Sequence, residues 1–95
     1  MNYPAIDQIL GAVFDLDHGF SERVTADLYI RSVVNRVDTE EIKRELRSAF
    51  SDPKFSWKNM LSNDDREVYD TNSEEDAREY ALKILWTPLV QAGLV

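Results

Sequence analysis

Cysteine is absent from this chain of 95 residues. That excludes disulfides, thiolate zinc sites and thiol nucleophiles together. Glycine is scarce as well. The three present, at 11, 19 and 93, are too far apart to build a phosphate-cradling loop. Histidine occurs once, as His18, and neither a nucleophile elbow nor a metalloprotease helix is present. Long apolar runs are missing, so no transmembrane helix is expected. The opening Met1-Asn2-Tyr3-Pro4 has no basic segment, so no signal peptide is expected either. The chain reads as cytoplasmic. Basic residues are outnumbered, 11 against 18 acids, for a net charge of −7. Binding phosphate polymers needs clustered Lys and Arg, so neither direct nucleic-acid binding nor an anionic membrane is expected.

What remains is one domain's worth of chain, with 43% hydrophobic residues, enough to bury a core. Pro4 suits the first position of a helix. Ile6, Ile9, Leu10, Val13 and Phe14 then repeat at helical spacing, ending near Phe14 to Leu16. Gly11 inside that run predicts close packing against a neighbour. Ser21 is a suitable cap for a second helix. Its inner stripe is expected at Ala26, Ile30, Val33 and Val37, widened by Val24 and Leu28. Arg23, Asp27 and Arg31 alternate in sign on the opposite side, as a solvated face does.

Asp38 and Glu41 resemble a capping box for a third helix, with Ile42, Leu46, Ala49 and Phe50 inward and Glu40 paired with Arg44. Asp52-Pro53 ends that helix and is a candidate cap for a short one through Phe55, Trp57, Met60 and Leu61. Ser62 to Asn72 has no clear period, though Val68-Tyr69 reads as a short extended piece. Ser73 and Asp76 resemble a capping box for a last helix with Ala77, Tyr80, Ala81, Ile84 and Leu85 inward. Thr87-Pro88 breaks or restarts it. The expected fold is all-α, a compact antiparallel bundle of four to five short helices.

Catalytic chemistry finds little support. His18 has no evident nucleophile or orienting partner, so a turn or packing role is the simpler reading. A calcium loop starting at Asp15 fails because Gly19 sits one place early. One starting at Asn63 has Glu74 at position twelve, but Val68 replaces the glycine required at position six. No enzyme activity, cofactor, metal or small-molecule substrate is expected.

The chain's charge is concentrated instead. Asp64 to Glu79 holds eight acids against Arg66 and Arg78, a net of −6 in sixteen residues. Glu74, Glu75 and Asp76 suit the positive end of a helix. Asp64, Asp65, Glu67 and Asp70 lie in the aperiodic stretch, around Tyr69. Such a patch is a candidate docking surface for a basic partner. Tyr69 is expected at the interface, whereas Tyr80 and Trp86 have the spacing of core residues.

The run Tyr3-Pro4-Ala5-Ile6-Asp7-Gln8-Ile9-Leu10-Gly11-Ala12-Val13-Phe14-Asp15-Leu16-Asp17-His18 resembles the small immunity proteins of bacterial contact-dependent growth inhibition systems. Many of these open with an aromatic-Pro pair and a leucine-rich helix with Gly before a phenylalanine. A Phe-His-Gln-Asp-Trp motif follows. Phe14 and Asp17 match that motif in register, while Asp15, Leu16 and His18 replace its His, Gln and Trp. The resemblance covers roughly the first fifty residues and includes the Asp38-Thr39-Glu40-Glu41-Ile42 helix start. It implies a cytoplasmic binding protein that neutralises one cognate toxin domain, commonly a nuclease. Nuclease clefts hold phosphates and tend to be basic, which an acidic inhibitor complements. The expected partner-binding residues are Asp64, Asp65, Glu67, Tyr69 and Asp70, with the turn Asp15, Asp17 and His18 as a second candidate. The same charge supports an alternative: a phosphate-mimicking module for a nucleic-acid-binding protein.

Overall fold

Helical spacing and local caps account for most of the elements in the computed structural model, which describes residues 3–15, 19–35, 39–64 and 66–95. Helix α1 (Pro4–Ile9) runs directly into a π turn, Leu10–Phe14. Then come α2 (Glu22–Asn35), α3 (Thr39–Ser51) and the short α4 (Trp57–Leu61). A loop leads to α5 (Glu74–Ala81), which continues through a second π turn, Leu82–Trp86, into α6 (Thr87–Gln91). Counting each α–π run as one, the described residues form a bundle of five helices. Their only β feature is a bridge between Ser62 and Glu67. The Cα radius of gyration, 12.3 Å, is what a packed chain of this length has. No helix among the described residues is long and apolar enough to cross a membrane.

The core collects one stripe from each helix. Ile6, Ile9 and Leu10 meet Tyr29 and Val33 of α2, Ile42 and Leu46 of α3, Leu61 of α4 and Leu85 and Leu89 of the last helix, all essentially fully buried. An aromatic cluster closes one end. Phe50 stacks on Trp57 at 4.7 Å, and Phe55 meets the edges of both Trp57 and Tyr3.

Several expectations need correction. On α2 the expected Val33 is fully buried, and Ile30 and Leu28 pack half-buried against the core, but the central place belongs to Tyr29, and Val24 is 44% exposed. Tyr29 takes the central place because it carries both bulk and a donor. Its ring packs edge-on against Phe14, and its hydroxyl donates to the Leu85 carbonyl at 2.6 Å. That carbonyl lies in the second π turn, where the regular ladder is interrupted and a side chain can reach it. The π turn sits just ahead of Pro88. Proline has no N–H to donate, and its ring would strike the preceding turn of an α-helix. The Thr87 N–H bonds back five residues to Leu82 instead, which widens the turn.

Gly11 shows no close approach: a Cβ there would meet nothing within 4 Å. Ser56, not Asp52, caps α4, because Asp52 turns back onto the Lys54 N–H. Glu40 bonds Lys43 at 2.8 Å rather than serving as the expected partner of Arg44. The expected cap Asp38 and the stripe residue Val37 lie outside the described residues.

Candidate functional site

The acidic loop is built from α4 forward. Ser56 accepts from the Asn59 N–H at 3.1 Å and donates to Glu74 Oε1 at 2.5 Å. Glu74 Oε2 also accepts from the Lys58 N–H at 3.3 Å. An acid at the start of α5 thus helps cap α4, a five-residue helix too short to hold itself. At the end of α4 the Leu61 carbonyl accepts from the N–H groups of Val68 and Tyr69, at 2.7 and 3.3 Å. The Asn63 N–H donates to the Arg66 carbonyl, and the Asn63 side chain accepts from the Arg66 N–H. The segment therefore turns back on itself in a small closed loop.

Two side chains anchor that loop inward. Val68 is buried in the core. Arg66, 7% exposed, forms an ion pair with Asp7 of α1 and donates to the Met60 carbonyl at 3.1 Å. Desolvation holds the guanidinium below its ordinary pKa, but an arginine stays protonated in a protein. Among the described charged residues from Asp64 to Asp70, only the cation is buried.

Tyr69 is fixed on the far side. Its ring stacks on Tyr80 at 3.9 Å and 8° between planes, and its hydroxyl donates to Asp76 Oδ2 at 2.7 Å. That bond raises the Tyr69 pKa and, with one from Thr71, lowers that of Asp76. The expected capping box is consequently one-sided. Ser73 Oγ accepts from the Asp76 N–H at 3.2 Å, while the Asp76 carboxylate turns to Tyr69 instead of the Ser73 N–H. The Ser73 N–H goes to Thr71 Oγ1.

Of the residues singled out from sequence, Asp64, Glu67, Tyr69 and Asp70 share this loop. The three acids are exposed, and Tyr69 is half-buried. Glu75 and Glu79 of α5 are exposed as well. Asp15 is half-buried at the end of the first π turn, on a different connector. Asp65, Asp17 and His18 lie outside the described residues. Sequence reading missed the anchors Arg66 and Asp7. The available signal was that Arg66 is the lone cation of an otherwise acidic, aperiodic stretch.

Among the described residues no group of three or more His, Asp or Glu side chains is placed to hold a metal ion. The loop offers negative charge on a fixed backbone. Fold and loop together define a class, a small all-α domain that presents anionic side chains from a braced segment. No protein-family model, curated protein or solved structure matches the chain.

Proposed function

We propose that this protein is a cytoplasmic immunity protein that binds and neutralises a cognate toxin domain with a basic, nuclease-type cleft. The observation that carries the reading is the exposure of Asp64, Glu67 and Asp70 on a loop tied to α1 through Arg66 and to α5 through Tyr69. Charges held on an ordered backbone lose little freedom on binding, which favours affinity. Their common sign accelerates encounter with a basic surface. Speed matters to an inhibitor that must capture its target before the first substrate is cut. The resemblance of the sequence from Tyr3 to His18 to contact-dependent immunity proteins supports the same reading.

The partner to test is the C-terminal domain of the protein encoded by the gene immediately upstream. Stopped-flow association with that domain is compared for the wild type and for a variant with Asp64, Asp65, Glu67 and Asp70 changed to Lys. The variant should associate about ten-fold or more slowly at low salt, with a flatter salt dependence. Unchanged association in both respects removes the acidic loop as the docking surface.

A further inference from the structure

The outer face of α2 carries a pattern that neither the fold nor the acidic loop uses. Val24, Asp27, Arg31 and Val34 are spaced three, four and three residues apart, so they form one stripe along the helix. Tyr29 and Val33 occupy the opposite, buried side. Val24 is 44% and Val34 57% exposed, and Asp27 and Arg31 are exposed too. Asp27 and Arg31 are one turn apart, yet they form no ion pair with each other or with another described residue. A groove of about 410 Å³, lined by Ala26, Ile30, Pro88 and Gln91 as well as by Asp27 and Arg31, runs beside the stripe towards α6.

The order of the four residues is its own complement. Val24 and Val34 share a midpoint at residue 29, and so do Asp27 and Arg31. We infer that α2 is the interface of a two-fold homodimer in which the helix pairs antiparallel with its copy, centred level with residue 29. Val24 then meets Val34 of the other copy, Asp27 meets Arg31, and the symmetry makes each contact twice. A two-fold interface must be self-complementary in this way. The stripe is apolar at its ends and oppositely charged in its middle, so a copy in the same orientation, rather than antiparallel, would set like charges against each other.

The occupant follows from charge as well. The protein carries −7 overall, so two copies approaching at random repel. The α2 face, where Arg23 and Arg31 flank Asp27, is not part of that excess. Four ion-pairing groups and four valines make a modest contact, so dimerisation should be reversible and salt-sensitive.

Sedimentation of the full chain between about 10 µM and about 1 mM, a range spanning modest affinities, tests this. The wild type should move from its 11.0 kDa mass towards twice that value. Asp27→Arg alone, or Arg31→Asp alone, sets like charges together twice and should hold the protein monomeric. Both changes combined restore opposite charges across the axis and should recover the dimer. That recovery separates pairing from folding damage, and circular dichroism at each step confirms the helix content. A wild type that stays monomeric throughout overturns the proposal and leaves the face to a different protein. So does dimerisation that survives either single reversal, or a double exchange that remains monomeric. Toxin association reads a separate surface, so failure here is distinguishable from failure of the immunity reading.

Discussion

Glu45 of α3 holds the N-terminus of α1 from forty residues away. Its carboxylate accepts from the Ala5 N–H through both oxygens, at 3.0 and 3.2 Å, and from the Ile6 N–H at 3.1 Å. Tyr3 at the cap position does not cap the helix with its side chain, and Pro4 has no N–H to satisfy. The first-turn donors of α1 thus depend on a single buried acid, 7% exposed. Placing a carboxylate there is favourable because donors and helix dipole both face it. Together with Glu74 over α4, it shows acids of this chain capping helices other than their own.

Glu45→Gln keeps the shape but turns one oxygen into an amide that faces a donor. Stability should fall by about 1–3 kcal/mol, the usual cost of a buried group left unpaired. In urea unfolding this appears as a lower midpoint at unchanged slope. A midpoint equal to the wild type's would mean the cap contributes nothing net.

Tyr29 gives the protein an alkaline limit. Burial raises its pKa above the ordinary 10.0, so the folded state keeps a proton that the unfolded chain releases. The resulting stability is complete below pH 10.0 and is lost as pH climbs beyond it. Tyr69 and Tyr80 are shifted in the same direction, the first by its bond to Asp76 and the second by burial and then Glu22. Tyr29→Phe should cost about 1–3 kcal/mol at neutral pH, because the Leu85 carbonyl loses its donor. It should also make the decline above pH 10.0 shallower. Thermal melts from pH 7 to 11 read both effects, and a parallel decline in the two proteins would rule out Tyr29 as its source.

The elements of this fold were legible where the rule was local. Ser21 and Ser73 cap helices through amides three residues on, and the apolar spacing of α3 places Ile42, Leu46 and Ala49 inward. Partners far apart in sequence were not legible. Nothing near Glu45 announces that it caps α1, although a charged residue on the Ile42–Leu46–Ala49 stripe is itself a signal of a buried partner. On α2, Val33 was legible from its spacing but Tyr29 was not, because its bulk and its bond to the Leu85 carbonyl give it the central site ahead of Ala26 and Ile30. Of the candidate site, the exposure of Asp64, Glu67 and Asp70 followed from composition. The means of holding them did not, because it rests on Arg66 meeting Asp7 across the bundle.

The Tyr69–Asp76 pair is open to direct titration. The tyrosine hydroxyl holds the Asp76 carboxylate below the ordinary 3.8, with Thr71 adding to the effect. Tyr69→Phe removes the larger contribution, so the Asp76 pKa should rise towards 3.8 in an NMR titration. The sign of the linkage is that of a depressed acid. The bond's contribution is complete above pH 3.8 and is lost as pH falls through the lowered pKa. The stability difference between wild type and variant should therefore narrow in acid. An unshifted Asp76 in the variant would mean that the hydroxyl does not hold it.

Gly11 is a place where the sequence can be improved. It lies inside a helical run with open space where a Cβ would stand. Gly11→Ala should raise stability by about 0.5–1 kcal/mol, by restricting the unfolded chain without a clash. Chemical denaturation measures the gain. A loss instead would mean that this π turn needs backbone freedom that alanine lacks.

Arg66 joins stability to the proposed binding role. Arg66→Met keeps much of the stem's bulk and removes both the Asp7 ion pair and the bond to the Met60 carbonyl. The carbonyl is left to find water, so stability should fall by about 1–3 kcal/mol. The loop should also open more often while the helices stay paired, because Leu61–Val68 loses its brace. Hydrogen exchange at the Val68 amide should accelerate more than at amides within α3. If the braced loop is the docking surface, the variant's acids are unchanged in number but less ordered. Toxin association would then keep its salt dependence while dissociation quickens. A slowed, salt-insensitive association would instead assign Arg66 to the charge pattern itself.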